Sequence, residues 1–479
     1  MAVLFVASEC APLVKTGGLA DVVGALPRAL AAAGCRVRVL IPAYPGVAER
    51  AGTTEAAMEI PDLFGGPARL LAASVAGLDL LLLDAPHLYD RPGGPYQDDG
   101  FRDWPDNHLR FGALCQVAAG IGRAGLPDGW RPEIVHAHDW QAGLAPLYLS
   151  DLPERPATVT TIHNVAFQGN FDAGARRALG LPEAGFTPAG YEFWGRVSFL
   201  KAGLIHSDAI TTVSPTYARE LTTAEFGFDM QGVIAERAGR LSGILNGIDL
   251  DEWNPETDPH IARFGLRRLQ ARQKNRAALA AEFGIEPGDG PVFAVVSRLS
   301  WQKGLDLLLE VLPRLVGQGG SLVVLGAGEP ALEDGFRAAA VRHPGRVGVR
   351  IGYDEALAHR IYAGADSLLV PSRFEPCGLT QLYAMRYGAL PVVARTGGLA
   401  DTVIDANEAA LSAGAATGFQ FTAGSADALS WGIERACALF RDRPGWAKAQ
   451  RNAMRASVGW DSSAARYRGL YEALLAGRR

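Results

Sequence analysis

Cysteine is scarce in this sequence: five among 479 residues, at Cys10, Cys35, Cys115, Cys377 and Cys437. They lie far apart, with no Cys-x-x-Cys pair and no disulfide-like spacing, which excludes a disulfide scaffold or a zinc ribbon. An odd number of scattered thiols fits a reducing compartment. Long apolar runs are missing too. None approaches the roughly 18 residues of a membrane span. The first apolar stretch, residues 3–7, has no basic segment before it and is too short for a signal sequence, so a cytoplasmic protein is expected. Nor is there an excess of basic charge. With a net charge of −5 and a pI near 6.0, the chain has no global attraction to nucleic acid or to an anionic membrane. Any anion-binding site must be made basic locally.

Glycine, by contrast, is plentiful at 57 residues, many of them in short turns between apolar runs. Apolar residues make up 48% and charged residues 20%, as in a soluble globular enzyme able to bury large cores. The length calls for two or three domains. Short apolar runs at 3–7, 37–41, 78–83, 134–137 and 158–162 alternate with helical patterns, and a second series follows at 291–297, 321–325, 347–351, 367–370 and 391–394. Runs of this length between helices predict parallel sheets covered on both faces. Two series predict an α/β protein of two doubly wound, Rossmann-like domains. The boundary falls near Asn246-Gly-Ile-Asp249, where Asn, Gly and then Pro255 interrupt the periodicity. This gives domains over 1–245 and 246–459. A final segment, 460–479, begins Trp-Asp-Ser-Ser and has the helical spacing of Tyr467, Leu470 and Leu474.

One hexapeptide occurs twice, Thr16-Gly-Gly-Leu-Ala-Asp21 and Thr396-Gly-Gly-Leu-Ala-Asp401, each after a strand and opening a helix. In the first, Gly17 and Gly18 are expected to permit positive φ and a close backbone approach to a ligand at the free amides of the helix start. Lys15 adds a point charge suited to phosphate. An ordinary glycine turn is the other reading. The stretch Ser297-Arg-Leu-Ser-Trp-Gln-Lys-Gly-Leu-Asp306 directly follows a buried strand, placing Arg298 and Lys303 where open α/β sheets bind ligands. Together they suit a diphosphate and the charge that builds as it leaves; alone, they also read as surface cations. In Pro371-Ser-Arg-Phe-Glu-Pro-Cys-Gly-Leu-Thr-Gln-Leu-Tyr383, a turn at Pro376 and Gly378 precedes a helix starting near Leu379, whose first amides suit phosphate. Glu375 beside an anion site is unfavourable unless it accepts sugar hydroxyls or caps the helix. His136-Ala-His-Asp-Trp140 and Thr161-Ile-His-Asn164 lie at strand ends. A metal site there lacks a second ligand cluster, and carbohydrate-facing roles suit Asp139, Trp140 and His163 better, with His136 structural. Gly326-Ala-Gly328 lacks the third glycine of a dinucleotide fingerprint.

In this order these motifs resemble the bacterial glycogen synthase family, which includes the plant starch synthases, and the resemblance spans nearly the whole chain. It implies a GT-B fold: two Rossmann-like domains facing a central cleft, with a C-terminal helix crossing back to the first. It also implies a retaining hexosyltransferase of glycogen biosynthesis, moving glucose from ADP-glucose to the non-reducing end of an α-1,4-glucan. By the resemblance, Lys15, Gly17, Gly18 and Asp21 lie at the donor, and Arg298 and Lys303 bind its diphosphate with the amides of Leu379 and Thr380 beside Gly378. Glu375 contacts the donor glucose and His163 supports it at the reacting centre. Asp139 and Asn246 are implied sugar-site residues. Tyr353 resembles the residue that stacks on adenine, with Tyr96 joining it. No metal or other cofactor is expected, since fixed cations take the leaving-group charge. Tyr383 stands where related transferases of this fold carry a second glutamate, eight positions after Glu375. With no second carboxylate evident, front-face displacement is expected rather than a covalent intermediate. Two alternatives compete: a sucrose- or trehalose-type synthase using UDP-glucose, and a non-catalytic glucan-binding protein.

Overall fold

The computed structural model describes residues 1–100 and 102–478. The chain divides into two compact units, one of Met1–Asn246 with the segment from Trp460 onward, the other of Gly247–Gly459.

The first unit holds strands β1 (Ala2–Val6), β2 (Arg36–Pro42), β3 (Thr54–Ile60), β4 (Ala68–Val75), β5 (Leu78–Asp84), β6 (Ile134–His138), β7 (Ala157–Ile162), β8 (Asn170–Asp172), β9 (Glu192–Phe193), β10 (Arg196–Ser198), β11 (Ala209–Thr212) and β12 (Leu241–Gly243). Nine of them form one sheet in the order β12-β11-β7-β6-β1-β2-β5-β4-β3. Its strands run parallel from β12 to β5, and β4 and β3 add antiparallel at the edge. β8, β9 and β10 make a small separate sheet. β1, β6 and β7 are buried along their whole length; β1 therefore reads as an unbroken apolar run rather than an alternating one, while β6 and β7 also bury histidine and threonine side chains. β1 pairs with β2 on one side and β6 on the other, with Phe5 opposite both Val39 and His136. The helix Asp461–Ala476 packs on the helix Gly18–Ala32 and buries Tyr467 and Tyr471 completely. The crossing back implied for 460–479 is therefore observed, with Arg479 lying outside the described residues.

The second unit holds β13 (Val292–Val296), β14 (Ser321–Gly326), β15 (Val347–Ile351), β16 (Ser367–Val370), β17 (Leu390–Ala394) and β18 (Phe419–Phe421). They form one parallel sheet in the order β15-β14-β13-β16-β17-β18. The chain leaves β13 toward β14 on one side and returns at β16 on the other, so a switch point lies between β13 and β16. The first unit has its counterpart between β1 and β6. Open α/β sheets bind ligands beyond the carboxyl ends of strands at such points. The loops that start there carry Lys15 (after β1), Asp139 (after β6), Arg298 and Lys303 (after β13) and Glu375 (after β16).

The apolar runs read from the sequence all match observed strands to within a residue or two at each end. β3, β4, β11, β12, β18 and the small sheet were not anticipated. β3 is an edge strand with Glu55 and Glu59 exposed, charges that protect an open edge and mask its strand character. Among the described residues no helix is long and apolar enough to cross a membrane.

Candidate active site

In the first unit the loop between β1 and the helix Gly18–Ala32 is organised by Glu9, a carboxylate only 3% exposed. It accepts hydrogen bonds from the backbone N–H of Thr16, from Gly17 N–H at 3.2 Å, from Thr16 Oγ1 at 2.6 Å and from the Tyr96 hydroxyl. Tyr96 also contacts Ser8 Oγ at 2.7 Å, and burial together with the charge of Glu9 holds its phenol well above the usual range. Tyr96 thus anchors Glu9 through its hydroxyl. Lys15 Nζ pairs with Asp21 Oδ1 at 2.7 Å, both side chains partly exposed. The reasoning for positive φ at Gly17 and Gly18 does not hold: Gly17 is extended at φ −157° and Gly18 begins the helix. An added Cβ at either meets no atom within 4 Å. These glycines keep space open beside the helix start rather than relieve strain.

At the end of β6, His136 is saturated: Nδ1 lies 2.7 Å from the Tyr471 hydroxyl and Nε2 2.5 Å from Thr161 Oγ1. Burial lowers its pKa to about 3, and its role is structural. His138 Nδ1 lies 2.9 Å from His163 Nε2, while His138 Nε2 is buried without a partner among the described residues. Burial depresses both of these imidazoles, that of His163 to about 3. Asp139 adopts φ +56°, ψ −169°, a region costly for any residue with a Cβ and typical of functional sites. Its Oδ1 accepts the backbone N–H of His163 at 2.6 Å and of Asn164 at 3.4 Å. Burial still raises its pKa to about 7. Asp139 and His163 are therefore brought together by the adjacent ends of β6 and β7. Asn246 is buried too, with Oδ1 lacking a partner among the described residues.

In the second unit, Lys303 Nζ lies 2.5 Å from Glu375 Oε2, which also accepts Ser372 Oγ–H at 2.9 Å. The two loops are stapled by Arg373. Its guanidinium makes two 2.7 Å bonds to Asp306, donates to the Trp301 carbonyl at 2.7 Å and lies 4.5 Å over the Trp301 ring. Gly304, at φ +65°, lets the first loop pass so close that a Cβ would sit 1.9 Å from Pro371 O. Gly326 and Gly328 serve the same kind of contact, against Ser297 O and Leu299 O, which accounts for the partial Gly-x-Gly without a dinucleotide. Arg298 is exposed at the carboxyl end of β13. Gly378 turns the chain at φ +71°, and Leu379 precedes the helix Thr380–Arg386 without side-chain capping, so Glu375 is not its cap. Tyr353 is 68% exposed in the loop after β15. Tyr383 is a core residue, stacked at 3.9 Å on Trp253, which stacks at 3.9 Å on His359.

For a metal, His136, His138 and Asp139 offer no cluster. The one group of three possible ligands among the described residues is Glu252, Glu355 and His359. There His359 Nδ1 already bonds Asp258 at 2.7 Å. Sequence reasoning missed Glu9 and Arg373, and considered His138 only as a metal ligand beside His136. Only Glu9 gave a signal: an acidic residue just past the carboxyl end of a fully apolar strand.

Residues 2–236 match the family described as the starch synthase catalytic domain, and residues 280–452 match glycosyl transferases group 1. A glycogen synthase of Roseobacter denitrificans is 56% identical over 480 residues, covering 100% of both chains. One of Paracoccus denitrificans is 56% identical over 475 residues and 99% of each. Among solved structures, the catalytic domain of starch synthase IV from Arabidopsis thaliana, bound to ADP and acarbose, shares 31% identity with a TM-score of 0.88 over 99% of each chain. Sequence across its full length and fold in both units agree: the chain belongs to the glycogen and starch synthase family of GT-B glycosyltransferases.

Proposed function

We propose that the chain transfers glucose from ADP-glucose to the non-reducing end of an α-1,4-glucan with retention, as a glycogen synthase. The supporting observation is the Lys303–Glu375 pair at 2.5 Å, set at a sheet switch point with Arg298 in the same loop as Lys303. Such a cluster suits a sugar diphosphate: cations for the leaving group and a carboxylate for sugar hydroxyls. Arg298 and Lys303 neutralise the diphosphate with the amides of Leu379 and Thr380 after the Gly378 turn. Tyr353, being exposed, stacks on the base. Lys15, Gly17 and Gly18 serve the donor phosphates, with Asp21 holding Lys15. His163, Asp139 and Asn246 serve sugar hydroxyls.

In the transfer, the bond from glucose C1 to the diphosphate oxygen breaks and ADP leaves with the electron pair. The acceptor hydroxyl attacks C1 from the same face, and its proton passes to the departing phosphate oxygen. Glu375 is already engaged by Lys303 and Ser372, which disfavours it as a covalent nucleophile.

The test is turnover of ADP- and UDP-glucose with glycogen as acceptor. Glucan extension with ADP-glucose preferred is expected, and Arg298→Ala is expected to lower kcat by about a hundredfold or more. No extension, or a preference for UDP-glucose, overturns the reading.

A further inference from the structure

We propose that His138 is a positioning residue that fixes the proton of the His163 imidazole on Nδ1. The proposal starts from the 2.9 Å contact between His138 Nδ1 and His163 Nε2. Burial holds both rings neutral at ordinary pH, so the contact contains one proton and two arrangements compete. In one, His163 donates from Nε2. His138 then accepts at Nδ1 and must carry its own proton on Nε2. That nitrogen is buried and has no hydrogen-bond partner among the described residues. Its ring is wholly enclosed, tilted against Phe5 at 4.7 Å and stacked on His136 at 4.3 Å. His136 offers no acceptor there, since both its nitrogens are occupied. An orphaned N–H in such surroundings is the rarer and costlier defect, whereas an unused acceptor lone pair is better tolerated.

The other arrangement therefore prevails. His138 donates its Nδ1 proton to His163 Nε2 and leaves only a bare Nε2 in the core. His163 must then carry its proton on Nδ1. Its backbone is fixed independently, by the bond from His163 N–H to Asp139 Oδ1 at 2.6 Å. Main chain and ring are thus oriented by two neighbours from the same strand end. This gives His163 a definite chemical role, resting on its reading as a sugar-site residue. It presents a hydrogen-bond donor to an oxygen of the sugar, and it is not a general base, because its one basic nitrogen is taken by His138.

The test uses the full-length chain with 15N-labelled histidine. Two-bond proton–nitrogen spectra report which nitrogen of each ring is protonated. Protonated Nδ1 on both His138 and His163 is expected. Two variants separate positioning from packing. His138→Leu fills the ring's volume with no donor, whereas His138→Asn places an amide N–H near the lost Nδ1–H. At matched melting temperature, H138L is expected to lose kcat about tenfold or more with little change in KM. Its His163 is expected to populate both tautomers, and H138N should restore most of the kcat and the single tautomer. His163 protonated on Nε2 in the unaltered protein overturns the proposal, and that measurement needs no variant to fold. Equal impairment of H138N and H138L overturns it as well. If His163→Ala leaves transfer intact while the tautomers are as assigned, the sugar-site reading fails and the positioning role stands.

Discussion

At Gly17 and Gly18 an added Cβ meets no atom within 4 Å, whereas at Gly397 it lands 1.9 Å from Glu375 O and at Gly398 2.3 Å from Cys377 O. The same hexapeptide therefore has two physical causes. Gly397, at φ +44°, lets the helix Gly397–Thr402 press against the backbone that carries Glu375, while the first pair leaves room. Gly18→Ala is expected to melt at or slightly above the parent temperature, since alanine gains up to about 1 kcal/mol over glycine in a helix. It should still lose transfer activity if a ligand's phosphate occupies that room. Gly397→Ala combines a left-handed backbone with a clash and is expected to lower Tm by more than about 4 °C. Calorimetry of the two variants decides it, and equal melting temperatures would refute the distinction. The Lys303–Glu375 pair allows a second test. Glu375 is 7% exposed, so Lys303→Met leaves a largely buried carboxylate without its cation. The double variant K303M/E375Q should be more stable than the sum of the single losses, with a coupling of about 1 kcal/mol or more in urea melts. Additive losses would mean that the pair contributes nothing to the fold.

Among the elements, the C-terminal helix ties the chain's end to the first sheet through Tyr471, whose hydroxyl meets His136 Nδ1 at 2.7 Å. Tyr471→Phe keeps the ring and removes that partner, leaving a buried imidazole nitrogen unpaired at a cost of about 1–3 kcal/mol. A lower thermal midpoint with activity at 25 °C nearly unchanged is expected, and an unshifted midpoint would sink the assignment. Elements of this kind were legible because their cause is local: the central strands are buried on both faces and largely apolar, and Tyr467, Leu470 and Leu474 keep helical spacing. Arg298, Lys303 and Glu375 were legible because each follows such a strand closely. What escaped depends on strand order. The Arg373–Asp306 staple joins residues of two loops that become neighbours only because β16 lies beside β13. Tyr96 reaches Glu9 across a long sequence separation in the same way. β3 escaped because an exposed, charged edge erases the apolar signal. The backbone angles of Gly17 could not be read from residue type, since glycine permits the left-handed region without requiring it.

For the molecule as a whole, the buried titratable groups of the first unit set how stability answers pH. His136 and His163 are depressed to about 3, and His138 is well below its usual value, all chiefly by burial. In the unfolded chain each takes up a proton near pH 6.5. As pH falls below that value the unfolded state binds protons that the folded state refuses, so the stability these groups provide is lost between about 6.5 and 3. Asp139 acts in the opposite sense. Its folded pKa is raised to about 7 from the usual 3.8, so between those values the folded state holds a proton that the unfolded state has released. Its contribution therefore improves as pH falls. Three groups against one leave a net uptake of protons on unfolding, and the Tm of this unit is expected to fall as pH drops from 6.5 toward 4. Asp139→Asn isolates the opposing group. Asparagine preserves the carbonyl-type acceptor for the His163 and Asn164 amides and has the shape of aspartate, so the backbone strain is the same in both, while it removes the buried charge. At pH 8 the variant should melt above the parent. The gap should close as pH falls toward 5, because the parent carboxyl is then protonated as well. Melting curves of the pair from pH 5 to 8 settle the point: a gap that stays constant with pH would mean that Asp139 titrates at its ordinary value, and that its strained position at the end of β6 is not also an electrostatic strain.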